Sequence, residues 1–184
     1  MDTKVDTRAP AVAGLFYPGD AAVLARDLQA MLSAVPESKI PADVPKAVIV
    51  PHAGYIYSGP IAASAYARLH RLRGTIRRVL LLGPVHRVPV HGLALPGTLA
   101  FETPLGRMPV DREAVNRILP LRQVTTSVAA HALEHSLEVQ LPFLQQVLGD
   151  FQLVPLAVGD ATAEEVAEVI EILWGGPETL IVVS

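Results

Sequence analysis

His52 stands directly after the apolar run KAVIVP, and His86 stands four residues after the run RVLLL, in RVLLLGPVH. Short, continuous apolar runs of this kind read as strands buried on both faces. Both imidazoles therefore project from the carboxyl ends of strands in successive β-α-β units, which are expected to be adjacent, so the two rings can converge. Two neutral imidazoles on neighbouring loops begin a site for iron, zinc or copper. A single loop histidine is ordinarily a surface residue. The matched placement of two, each beside Gly and Pro, favours a site.

A second group lies in HALEHSLEVQLPFL. On a helix, His131 and His135 share a face, as do His135 and Glu138. The pattern is not HExxH, because Glu134 falls at the wrong offset for that zinc motif. His131 and Glu134 read as solvated surface. His135 and Glu138 can serve as a third ligand, as an orienter of a ligand, or as a general base. In PHAGYIYSGP, Tyr55 and Tyr57 offer phenolic hydroxyls that could orient or protonate a substrate, or could pack in the core. Arg87 reads as a surface cation, and His70 and His91 as structural or solvated. No GxGxxG, GxxxxGK[ST] or GxSxG occurs.

The elements that must position these groups follow from periodicity. Residues 8–19 read as an ordered arm. Asp20 caps a helix over 21–34, with Val23, Leu24, Leu28, Met31 and Leu32 inward. A connector spans Pro36 to Pro45, a buried strand 46–50, a helix 60–72 and a second buried strand 78–82. Short strands are expected within 90–108, as an added hairpin. A helix from Asp111 to Leu119 follows, then one over 135–148 in which a kink at Pro142 is expected. Strand 151–158, helix 163–174 and strand 179–183 complete the chain. Apolar runs alternating with helices predict an α/β fold, a mostly parallel sheet flanked by helices. Ligands bind at the carboxyl ends of such strands.

Composition fits one domain over 1–184. Of 184 residues 51% are hydrophobic and 18% charged, which supplies a sizeable core and excludes disorder. A net charge of −3 without a basic run argues against nucleic acid. The absence of cysteine excludes disulfides and zinc–thiolate sites within these residues. Neither a signal-peptide pattern nor a membrane-length apolar stretch occurs, so a soluble, cytoplasmic protein is expected. Because the last residue, Ser184, falls at the end of a strand, a C-terminally truncated domain is also expected.

Six segments together resemble the Memo family: GLFYPGD (14–20), VIVPHAGYIYSGP (48–60), LLLGPVHRVPV (80–90), FETPLG (101–106), EHSLEVQLPFL (134–144) and VPLAVGD (154–160). The resemblance covers nearly all of 9–184. It implies a fold similar to class III extradiol dioxygenases, which use non-haem Fe(II). It implies metal-site roles for His52 and His86 and a pocket role for His135, with a further Asp, His and metal ligand in a segment after Ser184. It also implies an AmmeMemoRadiSam setting, with AMMECR1-like and radical-SAM partner proteins. The expected function is dioxygenase-like redox chemistry on a small molecule. Fe(II), or else Zn or Cu, would be the metal, His135 and Tyr57 the catalytic residues, and Glu138 and Tyr55 additional pocket residues. The alternative is a metal- or partner-binding module without turnover, beside a radical-SAM protein. Fold likeness to a dioxygenase does not by itself establish ring cleavage.

Overall fold

A computed structural model describes residues 6–37 and 43–184. The expected connector falls partly outside the described residues, at 38–42. A six-stranded sheet forms the centre, in the order β2(Ala47–Ile49), β9(Thr179–Val183), β3(Arg78–Pro84), β8(Gln152–Val158), β4(Leu93–Leu95), β7(Val124–Thr126). All its neighbours are parallel except β4 and β8. The expected hairpin is present as β5(Ala100–Thr103) and β6(Gly106–Pro109), joined by β1(Thr7–Arg8) into a second small sheet.

The central strand β3 shows why the runs are continuous. Val79 and Leu81 face one core, with α1(Ala21–Ser33), α2(Tyr55–Tyr66) and α5(Leu141–Leu148). Leu80 and Leu82 face the other, with α3(Arg112–Ile118) and α6(Ala163–Leu173). Both faces are covered, so no polar alternation is needed. Helix starts follow their caps: Asp20 accepts from Val23 N, and Thr162 with Glu165 forms a capping box. The short helix α4(Val128–Ala132), like β1 and β7, is too brief for periodicity to reveal.

Four expectations are corrected. β2 is an edge strand, not one buried on both faces, and Ile49 is 82% exposed. One strand, β9, lies between β2 and β3, so the strands carrying His52 and His86 are not adjacent. Helix α2 starts at Tyr55 rather than 60 and contains Pro60, continuing as a 3-10 turn over Ala67–Leu72. Residues 135–148 are not one helix. A 3-10 turn, Glu138–Gln140, leads into α5, and Pro142 sits in its first turn, where a missing N–H costs nothing. No helix among the described residues is long and apolar enough to cross a membrane.

Candidate metal centre

His52, His86 and His135 meet at the carboxyl end of the sheet. The His52 and His86 rings are 5.3 Å apart, His52 and His135 5.7 Å, and His86 and His135 4.6 Å. One ligand nitrogen from each lies within 4.8 Å of the others. The end of β9 joins the two sides: Ser184, the residue after it, lies 3.1 Å from His52 Nδ1 through its Oγ and donates its amide to Leu82 O of β3. His135 arrives from the irregular segment between α4 and the 3-10 turn. That segment packs against β3 because residue 83 is glycine: a Cβ there would lie 2.8 Å from Ser136 Oγ. Ser136 Oγ donates to Pro84 O at 2.8 Å, fastening the segment beside the His86 loop.

Glu134 organises the centre and is not the surface residue its sequence context suggests. It is 2% exposed. Its Oε2 accepts from the His86 amide at 2.6 Å. Its Oε1 meets His86 Nδ1 at 2.9 Å and accepts from the amides of His135 and Ser136 at 2.8 and 3.0 Å. Burial alone would raise this carboxyl, but the His86 ring and the Ser136 and His86 amides outweigh it and hold the pKa at about 2. The ionised carboxylate only accepts, so His86 Nδ1 carries a proton and Nε2 is the nitrogen left for a ligand. His135 Nδ1 lies 3.3 Å from the same Oε1. Burial lowers the pKa values of His52 and His135, and the neighbouring histidines add to this while the Glu134 carboxylate opposes it in part. Both shifts favour the neutral ring, the form that metal ligation requires.

The other expected site residues lie elsewhere. Glu138 is fully buried, and its carboxylate accepts from the Arg8 guanidinium, Ala11 N (2.8 Å), Val12 N (3.0 Å) and Tyr17 Oη (2.6 Å). With its oxygens so occupied, it ties the N-terminal arm to the 134–138 segment rather than facing a ligand. Arg8 adds bonds to His131 O and Glu134 O, at 2.9 and 2.6 Å. Tyr55 is a core residue whose hydroxyl donates to Val139 O at 2.7 Å. Tyr57, two positions on, turns to the opposite side of α2 and is 82% exposed. His131 lies in the last turn of α4 and is buried. Its Nε2 lies 2.8 Å from Ala94 O, so the shared helical face with His135 does not exist.

Glu134, Gly83 and Arg8 gave little signal in the sequence, although the adjacency of Glu134 to His135 pointed the right way. Phe16 packs against His135, with ring centroids 4.8 Å apart and planes tilted by 48°. It also borders an apolar groove of about 580 Å³ lined by Leu15, Tyr17, Met31, Tyr55 and Ile56.

The family model described as Memo-like protein matches residues 8–184. A MEMO1 family protein from Ignicoccus hospitalis is 42% identical over 82% of this chain and 56% of its own length. One from Thermotoga neapolitana is 36% identical over 96% of this chain and 68% of its own. One from Aquifex aeolicus is 42% identical over 82% of this chain and 54% of its own. The chain thus spans between about half and two thirds of the length of these relatives.

Proposed function

Since this chain belongs to the Memo family, we propose that His52, His86 and His135 hold a redox-active divalent metal, Fe(II) first, for oxidative chemistry on an organic small molecule. The observation that carries this reading is the three imidazole nitrogens within 4.8 Å of one another. Two donors at about 2.1 Å from one ion lie at most about 4.2 Å apart, so small inward movements of the rings complete the set. An all-imidazole set suits iron, zinc and copper alike. Fe(II) would supply one-electron chemistry and open coordination positions for substrate and O₂.

The chain's own residues have separable tasks. Glu134 fixes the His86 ring and pins the backbone that presents His135. Phe16 shields one side of His135. His86 keeps a side chain 39% exposed, which leaves a path for a small molecule to enter. Tyr57 has no task in this reading.

Anaerobic titration with Fe(II), followed by nitric oxide and then O₂, tests it. One Fe(II) per chain, with a nitric oxide adduct and O₂ uptake, is expected. Both should vanish in His52→Ala/His86→Ala and persist in Tyr57→Phe. Stoichiometric binding that survives the double substitution would overturn the assignment. A bound metal inert to both gases would replace it with the metal-binding module.

A further inference from the structure

Among the described residues, His52 has no carboxylate partner of the kind that Glu134 gives His86. Its Nδ1 lies 3.1 Å from Ser184 Oγ. A hydroxyl can donate to an imidazole or accept from one, so this contact alone does not say which ring nitrogen carries the proton. The surrounding bonds decide it.

They are read outward from Pro51. Gln140 is buried, and its Nε2 lies 3.0 Å from Pro51 O and 2.8 Å from Ser184 Oγ. A carbonyl only accepts, so the amide nitrogen must face Pro51, and the amide oxygen faces Tyr66 Oη, which donates to it at 2.8 Å. Both Gln140 Nε2 protons are then committed, one of them to Ser184 Oγ. Ser184 Oγ also lies 2.7 Å from Ser136 O, another carbonyl that can only accept. The single hydroxyl proton goes there. Its lone pairs remain, one taken by Gln140, the other facing His52.

We infer that Ser184, its hydroxyl locked by Gln140 and the Ser136 carbonyl, is a positioning residue that forces His52 into the Nδ1–H tautomer and turns Nε2 to the metal centre. The two histidines are thus set in the same tautomer by different means, one by a carboxylate and one by a locked hydroxyl. Ser136 links the two: its amide donates to Glu134 and its carbonyl accepts from Ser184. The location of Ser184 explains how strands that are not neighbours share a site. It directly follows β9, which lies between β2 and β3, and its amide donates to Leu82 O at 2.8 Å. This inference rests on the metal-centre reading for its purpose, but its hydrogen-bond content is independent of any metal.

The test uses Ser184→Ala, with Ser184→Thr as the variant that keeps the hydroxyl. Two-bond ¹H–¹⁵N spectra of metal-free protein at pH 7.5 report the tautomer of each histidine, and His52 is assigned by the signal missing in His52→Gln. The expected result is an Nδ1–H His52 in wild type and Ser184→Thr, and a shift toward the Nε2–H form in Ser184→Ala. Titration with Co(II) alone should then show affinity weakened roughly 10- to 100-fold in Ser184→Ala and restored in Ser184→Thr, the usual loss when a ligand's orienting partner is removed. An Nε2–H His52 in wild type, or an unchanged tautomer in Ser184→Ala, overturns the inference. So does a tautomer shift that leaves Co(II) affinity unchanged. If wild type binds no Co(II), the metal-centre reading fails, and the spectra still decide the hydrogen-bond assignment.

Discussion

Replacing Glu134 by Gln keeps the size of the side chain and removes its charge. Four donors converge on this carboxylate, three on Oε1 and one on Oε2. An amide cannot satisfy all four. In its better orientation the NH₂ group takes the Oε2 position and opposes the His86 amide, so one buried donor loses its partner, at about 1–3 kcal/mol. The other three bonds lose their charge assistance, which adds about 1 kcal/mol or more. The carboxyl pKa gives a second route. It lies at about 2 in the folded protein against a reference of 4.5. That interval is worth about 3 kcal/mol at full strength, and about 2 kcal/mol once screening at the open rim beside His86 is allowed for. The two routes agree on a loss of about 2–4 kcal/mol at pH 7. The sign follows from a depressed acid: the contribution is fully present above about pH 4.5 and fades as pH falls toward 2. Urea unfolding of wild type and Glu134→Gln should therefore differ by that amount at pH 7, and by about half or less at pH 3. A difference below about 0.5 kcal/mol at pH 7, the range of an ordinary surface substitution, would refute the reasoning.

Two further predictions concern the supports of the centre. Burial lowers His131 to about 4 from 6.5, so the unfolded chain binds the extra proton between these values. Stability should fall by about 3 kcal/mol as pH drops from 6.5 to 4, and His131→Gln should flatten that part of the stability–pH curve. An unchanged slope would remove His131 as its source. In Gly83→Ala the new Cβ would stand 2.8 Å from Ser136 Oγ and 2.9 Å from Leu137 Cδ2. A destabilisation of about 1–3 kcal/mol is expected. Co(II) binding should weaken with it, because the segment that carries His135 must move. Wild-type behaviour in both measurements would show that the close approach is not needed.

Much of the architecture was legible because its causes are local. The runs at 78–82, 151–158 and 179–183 are apolar without alternation, which only a doubly covered strand tolerates. Asp20 and Asp111 mark helix starts by satisfying amides within three residues. The six segments that resemble the Memo family carry His52, His86 and His135 within them. The run at 46–50 misled because periodicity reports composition and not neighbours, and nothing local says that β2 lies at the sheet edge. The helix expected over 135–148 failed for a related reason. The apolar pattern of 137–148 is continuous, but the amides before it are satisfied by Glu134 rather than by a helical turn.

Fold class, the two strand-end histidines and the family could all be read from the chain, since apolar periodicity, capping and motif order reside in short stretches. Tertiary structure alone decided what the remaining polar residues do. Glu138 and Glu134 stand four positions apart in one segment. Glu138 is consumed by Arg8, Tyr17 and two amides, while Glu134 orients His86. Tyr55 and Tyr57 divide between core and solvent because a helix turns them apart. Ser184 acquires its role from partners 44, 48 and 132 residues away in the chain. A hydrogen bond requires the partner to be present at about 3 Å with the right geometry, and such meetings are set by the packing of the whole sheet.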